Sequence, residues 1–296
     1  MILKQRPYAG AWSALITPFE ESGHLDEHAL RHLVNFQIEK GITGLVPLGT
    51  TGESPTMKVA EDRRVIEIVV EEARGRVRVV AGTGSNSTQE AVDYTEAAKK
   101  LGVDACLVVT PYYNKPTPEG LKLHYKAVAD VGLPVIVYNI KGRCGINIET
   151  DTLMEMAKHP MIVGVKEASG DIEQMKEVIK RRPVDFTVLS GDDNMTLPLM
   201  QSGGDGIISV AANIIPSDVA ELVRLAATAD WKEAEKQNGR LANLFKHMFI
   251  ETNPIPLKYC AYRMGLCKLA YRLPMCPPTE KSREALDTML DEYKLL

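Results

Sequence analysis

The sequence predicts an α/β protein, a (β/α)8 or TIM barrel that continues into a C-terminal helical extension. Eight short apolar segments rich in β-branched residues recur between residues 11 and 210. Apolar residues at consecutive positions are typical of strands buried on both faces of a parallel sheet. Amphipathic stretches of helix length separate the segments, and no long polar linker interrupts the series. Eight such units favour a closed barrel over an open doubly wound sheet.

The predicted elements follow one another regularly along the chain. The strands cover 11–16, 44–48, 77–81, 105–109, 134–138, 162–165, 186–189 and 206–210. The helices between them cover 26–40, 60–73, 88–101, 118–131, 150–158, 172–181 and 194–202. No dinucleotide-binding glycine fingerprint follows the first strand, which argues against the doubly wound alternative and against a nicotinamide cofactor.

Four more helices are predicted at 216–227, 231–250, 255–264 and 279–295. They exceed what is needed to close a barrel, so we expect a C-terminal helical extension. The domain prediction is therefore a barrel core over 1–215, and a last barrel helix with the extension over 216–296, in one structural unit.

Composition excludes several classes of protein. The net charge of -4 gives no reason to expect nucleic-acid or anionic-membrane binding. No apolar run is long enough to span a bilayer, and residues 1–8 lack the pattern of a secretory signal. The five cysteines form no C-x-x-C pair, so a disulfide framework and a zinc ribbon are not expected. These features predict a cytoplasmic location.

Lys166 is the residue whose position most clearly indicates catalytic chemistry. It follows the apolar residues 162–165 directly, and active sites of barrels lie at the carboxyl ends of the strands. Loss of hydration there lowers the pKa of an amine, and a neutral amine is the nucleophile of Schiff-base catalysis. From position alone, a lysine that points to solvent or pairs with Glu167 is the more frequent case.

Hydroxyl groups on the same rim favour a catalytic role for Lys166 over a structural one. Tyr138 ends the preceding strand, Tyr113 follows the strand before it, and Thr50 and Thr51 follow the second strand. Phenols and alcohols can relay protons without placing a competing charge beside an imine. Each tyrosine alone is more often a packing residue, but the combination with a lysine is hard to ascribe to packing.

Two further features indicate an anionic substrate. The turn 49–53 offers backbone amides between glycines, which can bind the carboxylate of a keto acid. Arg143 follows Tyr138 in a loop over the same rim and could bind a second carboxylate, although a solvated loop cation is equally compatible. We expect no metal: His28 and His32 lie on a helix surface, and Asp192 and Asp193 point opposite ways.

The motifs together resemble one family. They read Gly-Thr-Thr-Gly-Glu-Ser over 49–54, Thr-Pro-Tyr-Tyr-Asn over 110–114, Tyr-Asn over 138–139 with Arg143, Gly-Val-Lys-Glu-Ala over 164–168, Gly-Ile-Ile-Ser-Val over 206–210, Asn-Pro-Ile-Pro-Leu-Lys over 253–258 and Arg-Leu-Pro-Met over 272–275. In this order they are similar to the dihydrodipicolinate synthase family of pyruvate-dependent class I aldolases, over nearly the whole chain. The resemblance implies condensation of pyruvate with aspartate semialdehyde, without a cofactor, on the route to diaminopimelate and lysine.

The resemblance also implies roles for individual residues. Lys166 would form the imine, and Tyr138 would transfer protons in a relay with Thr50 and with Tyr113, the latter from a neighbouring subunit. Thr51, Gly191 and the main chain at Ile208 would bind pyruvate, and Arg143 the second substrate. It further implies a homotetramer built as a dimer of dimers.

The chain departs from the family in two places. Lys141 and Cys144 stand where the family commonly has proline and threonine, in the loop that shapes the second-substrate site. Asn86, Glu90 and Tyr112 match the allosteric lysine site of sensitive members, but Val59 and Asp62 stand where those enzymes often carry histidines. We therefore expect weak or absent inhibition by lysine.

Two alternative functions remain open at this point. N-acetylneuraminate lyase and the sugar-acid aldolases share the lysine and the tyrosine but usually lack an arginine that matches Arg143. A non-catalytic barrel that binds a keto acid is the second alternative, since a fold alone establishes no activity.

Overall fold

The structure is a computed structural model and describes residues 6–296. Eight parallel strands close into a barrel in which each strand is hydrogen-bonded to the next and β8 to β1, so the predicted barrel is confirmed. The strands are β1 (Gly10–Ala14), β2 (Gly44–Val46), β3 (Arg78–Gly82), β4 (Ala105–Val109), β5 (Val135–Asn139), β6 (Ile162–Glu167), β7 (Thr187–Ser190) and β8 (Gly206–Ser209).

Helices surround the barrel and continue beyond it. They are α1 (Glu27–Glu39), α2 (Val59–Ala73), α3 (Thr88–Lys100), α4 (Pro118–Ala129), α5 (Lys141–Cys144), α6 (Thr150–Met156), α7 (Ile172–Arg181), α8 (Thr196–Gln201), α9 (Pro216–Ala227), α10 (Trp231–His247), α11 (Ile255–Arg263) and α12 (Glu280–Glu292). In the part of the chain from residue 6 onward, no helix is both long and apolar enough to cross a membrane.

Local chemistry explains where most helices begin. The Asp26 carboxylate accepts a hydrogen bond from the Ala29 amide, as predicted for an N-terminal cap, and Asp171 caps α7 in the same way. The predicted bounds of α7 and α9 match the structure, whereas α10 ends three residues before the predicted Ile250. The short helix α5 was not predicted, because four residues give no readable helical period.

The barrel interior is filled by side chains, so it is a core and not a pore. Trp12 is its largest buried residue, and its indole N–H donates to the carbonyl of Tyr8 at 2.8 Å. Gly44 makes the space, since a Cβ there would lie 2.2 Å from the Trp12 ring. Truncation of a tryptophan at such a position costs about 3–5 kcal/mol. The interior core fixes the strand register on which the candidate site depends.

Candidate active site

Strand register brings Lys166 and Tyr138 together at the carboxyl end of the barrel. Tyr138 on β5 pairs with Lys166 on β6, and the Lys166 Nζ lies 4.2 Å from the centre of the Tyr138 ring. The strand β6 runs on through Glu167, two residues beyond the predicted end, so Lys166 lies within the sheet. Successive residues of a strand point to opposite faces, and Glu167 accordingly bonds away from Lys166, to Asn139 and to the Ser169 amide. The alternative that Lys166 pairs with Glu167 is wrong.

Lys166 is buried without an ionic partner. Its exposed fraction is 5%, and no salt bridge among residues 6–296 includes it. Burial lowers the pKa of Lys166 to about 7; the Asp193 carboxylate opposes this shift and the Arg143 charge adds to it. A substantial neutral fraction of the amine is therefore present at physiological pH, as nucleophilic attack on a carbonyl requires.

Asp193 does not neutralise Lys166 because its carboxylate is already occupied. It accepts hydrogen bonds from the Ser209 hydroxyl at 2.5 Å and from the amides of Val210 and Ala211 at 3.2 Å. Burial nevertheless raises the pKa of Asp193 to about 6. These bonds fix the turn after β8. Among the described residues, no group of three or more histidine, cysteine or acidic side chains is placed to hold a metal ion.

A small cavity of about 40 Å³ opens beside Lys166. Its walls include several of the predicted site residues and others that were not predicted: Gly49, Thr50, Thr51, Tyr138, Arg143, Lys166, Gly191, Val210, Phe249 and Asn253. Gly191 is required by space, since a Cβ there would lie 2.7 Å from the Ala168 Cβ and 3.1 Å from the Lys166 Cε. A water needs only ~10–15 Å³ of such volume, so the cavity suits a molecule of a few heavy atoms.

The Tyr138 phenol remains protonated in this site. Burial raises its pKa, and the Arg143 charge and the Thr50 hydroxyl lower it only in part. Only 5% of Tyr138 is exposed. A protonated phenol next to a neutral amine can donate a proton to a carbonyl oxygen while the amine attacks its carbon.

The turn after β2 presents both threonines to the cavity. Thr50–Gly52 form a 3-10 turn in which the amides of Gly52 and Glu53 bond internally, so these two amides are not available to a ligand. The Thr51 hydroxyl oxygen accepts a hydrogen bond from the side-chain amide of Asn253 at 3.0 Å. Because that oxygen is an acceptor here, the Thr51 proton is free to be donated to an anionic ligand.

Three predicted residues need separate comment. Arg143 borders the cavity, and its guanidinium donates to the Asn253 carbonyl at 3.0 Å. Ile208 is fully buried in the barrel interior and does not line the cavity; the residue of this region that does is Val210, directly after the end of β8. Tyr113 is 90% exposed, has a positive φ of 73° and lines neither this cavity nor the larger one beside it, so a single chain does not bring it to the site.

The larger cavity, of about 430 Å³, adjoins the first and shares the walls formed by Thr50, Tyr138 and Arg143. Two of the residues predicted for a lysine site, Glu90 and Tyr112, line it together with Val59, Asp62 and Tyr94. Asn86 does not line it, and the Asn86 carbonyl instead accepts a hydrogen bond from the Asn114 side chain. Burial, reinforced by Glu61, raises the pKa of Asp62 to about 6.

The sequence reasoning missed Asn253, Phe249 and Val210 as site residues. The first two come from the C-terminal extension, which lies far from the barrel strands in sequence. The segment 253–258 stands out as a motif, but nothing in its sequence shows that it reaches the cavity. Only tertiary packing reveals this contact.

A closed (β/α)8 barrel that places a buried lysine with a pKa lowered to about 7 and a protonated tyrosine at the ends of adjacent strands defines an enzyme of the lysine-dependent class I aldolase type. The model of the dihydrodipicolinate synthetase family matches residues 7–293. The chain belongs to that family and is an enzyme of it, a synthase of lysine biosynthesis.

Individual relatives are similar over their whole length. The 4-hydroxy-tetrahydrodipicolinate synthase of Endomicrobium trichonymphae is 49% identical over 291 residues, which cover 98% of this chain and 99% of that protein. The crystal structure of dihydrodipicolinate synthase from Aquifex aeolicus is 44% identical with a TM-score of 0.96, covering 97% of this chain and 99% of that one. The Acinetobacter baumannii enzyme, solved in complex with pyruvate, is 43% identical with a TM-score of 0.96 and the same two coverages.

Proposed function

We propose that this chain condenses pyruvate with L-aspartate 4-semialdehyde to give 4-hydroxy-tetrahydrodipicolinate, through an imine between pyruvate and Lys166. The observation that carries the proposal is the buried Lys166 amine, unpaired and beside the Tyr138 ring. The similar Acinetobacter baumannii enzyme binds pyruvate in its crystal structure, which supports a keto acid as the first substrate.

The residues at the site support the following order of bond formation and proton transfer. The neutral Lys166 amine attacks C2 of pyruvate, and the Tyr138 phenol protonates the oxygen that then leaves as water. Loss of a proton from C3 gives an enamine, whose C3 attacks the aldehyde carbon and forms the new carbon–carbon bond. The substrate amine then displaces Lys166 as the ring closes, so one water is lost overall and the enzyme is regenerated.

Binding roles follow from charge and position. The Thr51 hydroxyl, Gly191 and the chain at Val210, two residues after Ile208, would hold the pyruvate carboxylate and methyl end, with Thr50 passing protons to Tyr138. Arg143 borders both cavities, so it can bind the carboxylate of the aldehyde as it enters. The roles of these residues are part of the proposal.

Tyr113 completes the proposal only in an assembly. Its side chain is exposed and faces neither cavity of its own chain, which is expected if it serves the site of a second copy. We therefore include in the proposal a homotetramer built as a dimer of dimers. Two measurements on the wild-type chain and on Tyr113→Ala would test this. Sedimentation velocity should show the same assembly for both, and the coupled assay described below should show that the variant has lost turnover. A cytoplasmic location is a separate part of the proposal, supported by the five free cysteines.

The proposed reaction is tested by a coupled assay with pyruvate, aspartate semialdehyde, excess reductase and NADPH. Lys166→Ala should abolish NADPH consumption, whereas the exposed Lys158→Ala should not change it. Borohydride treatment with pyruvate should give a covalent adduct on Lys166 only. A folded wild-type protein that forms the adduct but consumes no NADPH would direct the search to sugar-acid aldehydes. Absence of both would indicate a non-catalytic barrel.

Weak or absent inhibition by L-lysine is a further part of the proposal. The larger cavity keeps Glu90 and Tyr112 but presents Val59 and Asp62, and it lacks the side chain of Asn86. A valine side chain offers no hydrogen bond to a bound amino acid. Titration of L-lysine into the coupled assay should give little inhibition at micromolar concentration, and strong inhibition there would contradict the prediction.

A further inference from the structure

Several buried contacts hold the turn that carries Thr50 and Thr51: the Thr17 hydroxyl donates to the Gly52 carbonyl at 2.7 Å, and an ion pair engages the Glu53 carboxylate. Between its two 3-10 turns, Glu53 adopts a left-handed backbone conformation with φ 55°. Residues other than glycine rarely adopt that conformation unless surrounding contacts impose it. The side chain of Glu53 supplies such contacts, since its carboxylate points into the protein and only 1% of the side chain is exposed.

The partner of Glu53 comes from the C-terminal extension. The Lys258 Nζ on α11 lies 2.6 Å from a Glu53 carboxylate oxygen, and the Lys258 side chain is likewise 1% exposed. The ammonium also lies 4.4 Å from the centre of the Phe19 ring and 5.2 Å from that of Tyr271. The second Glu53 oxygen accepts a hydrogen bond from the Arg272 amide at 3.2 Å. Both charges are therefore paired and enclosed.

The same segment of chain also contacts the other parts of the site. Five residues before Lys258, the Asn253 side chain donates to the Thr51 hydroxyl, and the Asn253 carbonyl accepts from Arg143. Neither Glu53 nor Lys258 lines the small or the large cavity, so neither can touch a bound substrate. The pair therefore acts on the site only through the backbone and through its neighbours.

We propose that Lys258 and Glu53 are positioning residues: their buried ion pair fixes the turn 49–53 so that the Thr50 and Thr51 hydroxyls face the keto acid. Ordinary stability does not require this arrangement, because an apolar pair of similar volume is often as stable as a buried ion pair. A hydrogen-bonded pair of fixed length instead sets a geometry, and misplacement of a site group by about 1 Å can cost roughly a hundredfold in rate. The inference rests on the proposed function for the identity of the keto acid.

Three variants separate positioning from folding. Lys258→Met removes the donor, Glu53→Gln keeps the shape without the charge, and the double variant removes both charges and so avoids an unpaired buried ion. The matched control is Arg182→Met. Arg182 forms a similarly enclosed pair with Asp205, with side chains 6% and 8% exposed, next to the amino-terminal ends of β7 and β8 and thus at the opposite end of the barrel.

The readout is pyruvate affinity measured in two ways. We expect the KM for pyruvate to rise about tenfold or more in Lys258→Met and in the double variant, with a smaller effect on kcat. The pyruvate concentration that gives half-maximal borohydride trapping of Lys166 should rise in parallel, while the maximal extent of trapping stays unchanged because Lys166 and Tyr138 are untouched. Arg182→Met should also lose stability in urea, although less, because Asp205 keeps its ion pair with Arg6, and it should keep the wild-type KM.

The outcomes distinguish the two proposals. Wild-type trapping without condensation would refute the proposed reaction and leave the trapping comparison valid. A folded Lys258→Met or double variant with both pyruvate measurements within about twofold of wild type would overturn the positioning role. A rise in the KM for pyruvate no larger than the rise in Arg182→Met would also overturn the positioning role. If Lys258→Met does not fold, the same two pyruvate measurements on the double variant test the positioning role.

Discussion

Two lysines, at the end of β6 and in α11, are buried to nearly the same degree and have opposite surroundings. Lys166 is 5% exposed and Lys258 is fully buried. Lys258 meets the Glu53 carboxylate at 2.6 Å, whereas Lys166 meets the face of an aromatic ring and forms no salt bridge with any described residue. Burial lowers the pKa of both, but at Lys258 the bonded carboxylate opposes the shift directly. At α11 the Glu53 carboxylate thus favours the ammonium form of Lys258, whereas at β6 a pKa of about 7 leaves a substantial fraction of Lys166 as the neutral amine.

The difference shows that burial alone does not make a lysine reactive. An acidic residue acts on Lys166 as well, but three hydrogen bonds hold the Asp193 carboxylate at the turn after β8. A buried cation is stable only when paired, and an unpaired amine avoids the cost of burial by losing its proton. The neighbours of each lysine thus decide between a structural and a catalytic role.

The largest expected effect is the loss of chemistry in Lys166→Met. Condensation should fall by at least about 10⁴-fold, because Lys166 is the one lysine among residues 6–296 that lines the small cavity. Mass spectrometry after borohydride treatment with pyruvate should show no adduct, even though Lys258 remains in the protein. An adduct on Lys258 in this variant would break the distinction between the two lysines.

The second effect is on the free energy of unfolding, which should fall in one lysine variant and not in the other. Lys258→Met leaves the Glu53 carboxylate buried and unpaired, which should lower the free energy of unfolding by about 3–5 kcal/mol. Lys166→Met should leave it unchanged or raise it, because the wild-type protein must give up a proton or bury an unpaired charge there. Urea unfolding of both variants at pH 7 measures the difference, and equal destabilisation would contradict it.

The sign of the pH dependence follows from the lowered pKa of Lys166. Between about pH 7 and its unfolded value of 10.5, the unfolded chain binds a proton that the folded chain does not. The wild-type protein therefore gains stability relative to Lys166→Met as pH rises through this window. The stability advantage of the variant should be largest below pH 7 and disappear above the unfolded pKa.

Activity should follow the same titration. The kcat/KM for pyruvate requires the neutral amine, so it should rise with pH to a plateau with an apparent pKa of about 7. Below that value it should fall roughly tenfold per pH unit. A profile that stays flat as the pH is lowered well below this pKa would show that Lys166 is not the titrating nucleophile.

The smallest expected effect concerns the contribution of Arg143 to the pKa of Lys166. The Arg143 charge lowers the pKa of Lys166, so Arg143→Gln should raise the apparent pKa in the pyruvate profile, by roughly a few tenths of a pH unit for a partly exposed charge. The neighbouring exposed Lys141→Gln is the control and should leave the profile in place. A shift to lower pH in Arg143→Gln would contradict this account.

The sequence predicted the barrel well because its evidence is repeated. Eight apolar segments each carry the same signal, so errors of a few residues at the ends, as at β6 and α10, do not change the fold. The neighbouring positions of Lys166 and Tyr138 also followed from the sequence, since consecutive strands of a parallel barrel are paired and their carboxyl ends meet at one rim.

The sequence could not predict the contacts made by side chains distant in the chain. Ile208 lies within β8 and does not line the cavity, whereas Val210 follows the end of β8 and does. Which of the two lines the cavity depends on where β8 ends. Tyr113 faces outward from its own chain, and Asn253 reaches Thr51 across 202 positions. No local pattern encodes such distances.

By itself, then, the sequence determined which elements form, in which order they pair, and which lysine and tyrosine stand at the site, because those properties depend on periodicity and on neighbours along the chain. Only the tertiary structure decided which buried lysine has a carboxylate partner that favours its charged form and which has none. That outcome depends on whether a free carboxylate lies within hydrogen-bonding distance, and for Lys258 the carboxylate comes from a residue 205 positions away.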